Sequence, residues 1–113
     1  MSIRWDEVAE RIRAMARADK PAEMAEMAAH LGIGERLLQD SMSGRSRLAA
    51  MKVIAALVRR GVDPKWMLTG EVDPARHRRI LEGSDDDVED HVKRLVREAS
   101  RTGERGRDVS ALE

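Results

Sequence analysis

The sequence predicts an all-α protein, and three features carry that prediction. Aromatic residues make up 2% of the 113 residues (Trp5 and Trp66, with no Phe or Tyr) while hydrophobic residues reach 42%. The core must therefore be assembled from Ala, Leu, Met, Ile and Val, a set weighted toward helix. Apolar residues recur at steps of three and four, the helical period, rather than at every second position. Glycines and two Asp-Pro pairs divide the chain into segments of helical length. At this length one domain with at most one appended element is expected, and a two-domain enzyme is excluded.

Taken in order, Trp5, Val8, Ile12 and Met15 line one face of a first helix that Ser2 can cap and that should run to about Ala18. Pro21 suits the first residue of a second helix burying Met24, Met27, Ala28 and Leu31. Gly32 fits the left-handed position that ends it, with Ile33 folding back on Ala28 or Met27. Gly34 opens a third helix from Glu35 to about Met42, with Glu35 at the positive end of the dipole. A fourth helix, Arg47 to Arg60, carries Leu48, Met51, Ala55 and Val58 on one stripe beside Ile54 and Leu57, and Gly61 stops it. Asp63 and Pro64 read as cap and first residue of a short helix to Thr69, whose formation requires Trp66 and Leu68 to be substantially buried, either on the bundle or across a subunit contact.

Asp73 and Pro74 repeat the cap-and-proline pattern ahead of a basic turn, Arg76, His77, Arg78 and Arg79, with Ile80 and Leu81 before Gly83. Ser84 with Asp87 makes a Ser-x-x-Asp capping pattern for a long last helix, Asp85 to Arg101. Residues 104–113 hold charge, Gly and Ser with little to bury, and a disordered tail is expected there. The predicted division is a domain over 1–70, a helical extension over 71–103 and the tail.

The 21 basic residues balance 21 acidic ones, a total that by itself argues against a nucleic-acid partner. The distribution is uneven. Residues 1–70 hold 12 basic and 9 acidic residues, +3, and residues 71–113 hold 9 and 12, −3. Charged residues, 37% of the chain, interrupt every apolar run, so no stretch approaches the roughly 20 apolar residues of a membrane span. The absence of Cys removes disulfides, thiolate nucleophiles and cysteine-ligated metals, and no signal-peptide pattern opens the chain, so a cytoplasmic location is expected.

The informative stretch is residues 24–44, MAEMAAHLGIGERLLQDSMSG, in which a helix ends at Gly32 and another restarts within about three residues. Such a short turn makes two helices cross steeply. The crossing needs a small residue at the contact (Ala28), a glycine in the turn (Gly32) and apolar anchors (Met27, Leu31, Ile33 and Leu38), and the pattern looks like a DNA-binding helix-turn-helix. Further strings accompany it: Arg11-Ile12-Arg13 in the leading helix, Met27-Ala28, Leu31-Gly32-Ile33, and GVDPKWMLTGE from Gly61 to Glu71. From Val8 to Gly70 the chain thereby resembles the N-terminal domain of phage CI-type repressors, in the lambda-repressor-like helix-turn-helix family, where Gly-Val-x-x-x-Trp-Leu-Leu-Thr-Gly is a frequent ending.

The resemblance implies a five-helix domain that presents its third helix to the major groove, followed here by additional C-terminal helix. Glu35, Arg36, Gln39, Asp40 and Ser43 are then the base-reading candidates: Gln39 suits adenine, Arg36 suits guanine and an acid can accept from cytosine. Leu37, at the flank, suits a thymine methyl. Arg45, Ser46, Arg47 and Lys52 are the candidates for phosphate contact. The sequence departs from the family at Glu35 and Asp40, which bring acids to the reading helix, at Met24 and Gly34, where polar residues are common, and at Ser41, usually apolar.

The expected function is a sequence-specific double-stranded DNA-binding transcriptional regulator, a phage-type repressor, acting as a homodimer on a roughly palindromic operator. Neutral charge and the two acids favour an alternative, a protein-interaction adaptor or antitoxin built on the same scaffold, with a regulatory protein as partner. Val88, Val92, Leu95 and Ala99 step by 4, 3 and 4, with Val96 beside them, and this seam is the predicted dimerisation element, the alternative being that it folds back on the chain's own bundle. No catalytic set or phosphate loop is present in the sequence pattern, and no enzyme, cofactor or metal is expected. His30, His77 and His91 lack the spacing of a helical metal pair. Asp85 to Asp87 lack that of a calcium loop.

Overall fold

The computed structural model describes the backbone of residues 3–17 and 20–112, and their side chains except Asp85 and those from Ser100 onward. The described residues form seven helices: α1 (Trp5–Ala16), α2 (Pro21–Leu31), α3 (Glu35–Ser43), α4 (Arg47–Val58), α5 (Pro64–Thr69), α6 (Pro74–Leu81) and α7 (Asp85–Leu112). Among the described residues there is no strand.

The most apolar helix takes the centre. α4 buries Ala49, Ala50, Val53, Ile54, Ala55, Leu57 and Val58, so its apolar surface wraps most of its circumference and meets α1, α2, α3, α5 and α7. Its small residues let neighbours approach, and the larger Ile12, Leu38, Met67 and Leu68 fill the space between. The stripe predicted for α4 is corrected at one end: Leu48 is 52% exposed, because it sits in the first turn, outside the ring of packed helices.

Predicted caps explain several boundaries. Gly32 adopts φ +70, Ile33 N–H donates to the Ala28 carbonyl at 2.9 Å and Gly32 N–H to Ala29 at 3.1 Å, the paired bonds of a Schellman ending. Ser46 accepts from Ala49 N–H at 3.1 Å to start α4. Asp63 does more than its position in an Asp-Pro pair announces. One carboxylate oxygen accepts from the Lys65 and Trp66 N–H groups at 2.9 and 3.1 Å, and the other accepts from Asp73 N–H at 2.8 Å, tying the start of α5 to the start of α6. Ser84 and Asp87 cap α7 reciprocally: Ser84 N–H and hydroxyl both donate to the Asp87 carboxylate at 3.0 Å. Gly83 is required by that closure, since a Cβ there would lie 2.8 Å from Asp87 Cβ.

Other boundaries differ from expectation. α1 begins at Trp5 with Arg4 at the cap position and no side-chain cap, whereas Ser2 lies outside the described residues. It ends at Ala16 rather than Ala18, where Arg17 turns to φ +50. α4 ends at Val58 because the chain tightens through Arg60 N–H to Leu57 and Gly61 N–H to Val58. α7 continues to Leu112, past Arg101 and through the residues expected to form a tail. Once a turn is formed each further residue adds a hydrogen bond, and the glycines at 103 and 106 cost only about 1 kcal/mol each.

The largest correction concerns the predicted dimer seam. Val88, Val92 and Leu95 are 1%, 0% and 5% exposed within the single chain, where α7 packs on α4, α5 and α6. Val96 and Ala99 are half-buried at the edge of the same contact. The narrow apolar stripe suits a partner helix, as expected, but the partner is α4 of the same chain, whose second apolar side would otherwise face water. Residues 1–70 and 71–99 therefore share one core. α6 and α7 are further joined by a two-pronged ion pair, Arg76 to Glu98 at 2.7 and 2.9 Å, which raises the Arg76 pKa through the charged hydrogen bond.

Trp66 is half-buried rather than substantially buried; Pro64, Met67 and Leu68 are the residues that α5 places inside. The Arg11 guanidinium lies 6.0 Å from the Trp66 ring centroid and donates to the Met67 carbonyl at 3.2 Å.

Candidate nucleic-acid interface

α3 is positioned by its inner face. Leu38 and Met42 enter the core, and the helix packs on α4, α1 and α2. Ser41 is fully buried among them, and its hydroxyl donates to the Leu38 carbonyl at 2.6 Å, so the departure from an apolar residue is satisfied inside the helix itself. Arg13 of α1 donates to the Met42 carbonyl at the C-terminal end of α3. Arg60 likewise donates to the His30 carbonyl at the end of α2. Two arginines from distant positions thus neutralise the carbonyl ends of both helices of the α2–turn–α3 unit.

The opposite face of α3 is open. Glu35, Arg36, Gln39 and Ser43 are exposed and Asp40 is half-buried, so the structure brings the five base-reading candidates onto one accessible surface. Within it Arg36 reaches Asp40 at 4.0 Å, one turn along the helix, and the Ser43 hydroxyl donates to the Asp40 carbonyl at 3.1 Å. Arg36 is 91% exposed in that pair. The contact is a loose one in water, worth little and readily exchanged for another acceptor. Among the described residues Gln39 and Glu35 have no side-chain hydrogen bond or ion pair.

The phosphate candidates separate into two groups. Arg45, Ser46 and Arg47 follow α3 directly, across Gly44 at φ +75. Arg45 and Arg47 are exposed, while the Ser46 hydroxyl is occupied as the α4 cap. Arg47 is held: its guanidinium lies 5.5 Å from the centroid of the Trp5 ring, which fixes a cation beside the end of α3 while leaving its outer edge in water. Lys52 instead lines a depression with Gly32, Ile33 and Leu37, behind the turn that precedes α3.

Trp5 and Arg13 are the contributors to this surface that sequence reasoning missed. Both act across more than 25 positions in the chain, and neither their residue type nor their spacing points at α3. Trp5 was legible as apolar, and only the fold shows that its ring supports Arg47.

Among the described residues no cluster of three or more His, Cys, Asp or Glu side chains is placed to hold a metal ion, and no helix is long and apolar enough to cross a membrane. Comparison of the chain with protein families, with curated proteins and with solved structures finds no match.

Proposed function

We propose that this chain is a sequence-specific double-stranded DNA-binding transcriptional regulator, a repressor of the phage CI type, whose α1–α5 form a lambda-repressor-like domain with α3 as the reading helix. The observation that carries the proposal is the α2–turn–α3 unit. Its inner face is locked by Leu38, Met42 and a Schellman turn, and its outer face offers Arg36, Gln39 and Ser43 beside Arg45 and Arg47.

In this reading α3 enters the major groove, Gln39 pairs with adenine and Arg36 leaves Asp40 for guanine. Asp40 and Glu35 repel phosphates but accept from cytosine amino groups, which raises selectivity at the expense of affinity. Arg45 and Arg47 supply the phosphate contacts that set the register. Action as a homodimer on a roughly palindromic site, in the cytoplasm and without catalysis, belongs to the same proposal. Because the inner face of α7 is occupied within the chain, the contact between protomers must use other surfaces.

A second reading, a protein-binding adaptor or antitoxin, draws on the Arg36–Asp40 pair and the zero net charge. Selection from a pool of random duplex DNA at a stated low salt concentration separates the two. A regulator enriches a common sequence, and failure of every selected duplex to outcompete random DNA removes the DNA reading.

A further inference from the structure

The depression behind the α2–α3 turn has a composition that the DNA-facing surface does not use. It measures about 200 Å3, below the roughly 300–1,000 Å3 typical of drug-sized ligands, so its occupant is small. Apolar lining comes from Ile33, Leu37 and Ala56, with Gly32 beside them. Lys52 of α4 and Glu89 of α7 line the same depression. They have opposite charge, yet they are not paired with each other, and among the described residues neither has another hydrogen-bond or ion-pair partner. Arg59 also lines it and is already engaged in an interaction of its own.

We propose that this depression binds a small aliphatic zwitterion, an α-amino acid with a branched hydrocarbon side chain. Its carboxylate meets Lys52, its ammonium group meets Glu89, and its side chain lies on Ile33, Leu37 and Ala56. The chemistry follows from the three parts taken together. A cation alone would select any carboxylate and an acid alone any amine, whereas two separated, unpaired charges flanking an apolar wall favour a molecule that carries both charges and an apolar group. Leu37 and the turn residues Gly32 and Ile33 belong to the unit that orients α3, so occupancy fixes that turn and changes DNA affinity. This consequence rests on the DNA-binding reading, but the binding site itself does not.

Titration calorimetry on the full chain provides the test, with leucine and valine as probes and with 4-methylpentanoate and isoamylamine as the single-charge analogues of leucine. Leucine is expected to bind at least about tenfold more tightly than either analogue, and both Lys52→Gln and Glu89→Gln are expected to weaken it by about tenfold while leaving the thermal midpoint unchanged. The site is overturned if neither amino acid binds at millimolar concentration, if 4-methylpentanoate binds as tightly as leucine, or if leucine binds both variants as it binds the parent. Repeating the DNA titration with and without leucine reads the coupling separately, so a chain that binds leucine but no DNA keeps the site and loses only the regulator.

Discussion

Arg17 is the one described non-glycine residue with positive φ, at +50, where it ends α1. A side chain in that conformation costs on the order of 1 kcal/mol that glycine avoids. Arg17→Gly is therefore expected to raise the stability of the chain by about that amount, less the added entropy of the unfolded state, as read by the urea midpoint. At the other end of the molecule, hydrogen bonds from the Ser84 backbone and hydroxyl hold the Asp87 carboxyl below its ordinary value of 3.8. A carboxyl with a lowered folded value contributes stability that is complete above the ordinary value and disappears as pH falls through the folded one. Asp87→Asn should accordingly lower the thermal midpoint at neutral pH, and its deficit relative to the parent should shrink as the pH falls below 3.8. A deficit that stays constant with pH would show that the carboxylate charge is not what caps α7.

At the scale of elements, α7 is a structural partner of α4. Val92 has no exposure, and removing its two methyl carbons by Val92→Ala should cost about 2 kcal/mol, measured by chemical denaturation. Deleting residues 84–113 uncovers the α4 face and should abolish cooperative thermal unfolding of the remainder; a truncated chain that melts cooperatively with its helix content intact would contradict this.

The element level is also where the sequence was most legible. Gly32, the caps that Asp63 and Asp73 give their own helices and the Ser84–Asp87 box act through neighbours within a few residues, so their effect could be read locally, whereas the bond from Asp73 N–H to Asp63 could not. The partner of the Val88–Val92–Leu95 stripe could not, because a heptad-like seam has the same spacing whether it meets a second copy or α4. The exposed face of α3 was likewise readable from its period, but the support of Arg47 by Trp5 and the capping of α3 by Arg13 depend on contacts that only the folded chain creates. Trp66 shows the same limit: a short helix needs apolar anchors, and the spacing does not say that Met67 and Leu68 take that place while Trp66 packs under Arg11.

For the whole molecule, the split of charge matters more than its sum. The +3 of residues 1–70 includes Arg36, Arg45 and Arg47 around α3, and DNA affinity should fall as salt rises because phosphate contacts release counterions. The Arg45→Ala, Arg47→Ala double variant should weaken binding to all sequences alike and flatten the slope of log affinity against log salt by about 2. Gln39→Ala or Arg36→Ala should instead cost about 1–3 kcal/mol on the selected sequence only. Two half-sites roughly 10 base pairs apart in the selected DNA would mark a homodimer, with reading helices about 34 Å apart.

The central claim, that the open face of α3 reads duplex DNA, is tested most directly by following backbone amide resonances as the selected duplex is added. The largest shifts are expected from Glu35 to Ser43 and through Gly44 to Arg47, with the α6 amides little changed. Shifts centred outside α3 and the α3–α4 connection, or none at a saturating concentration of that duplex, would contradict it.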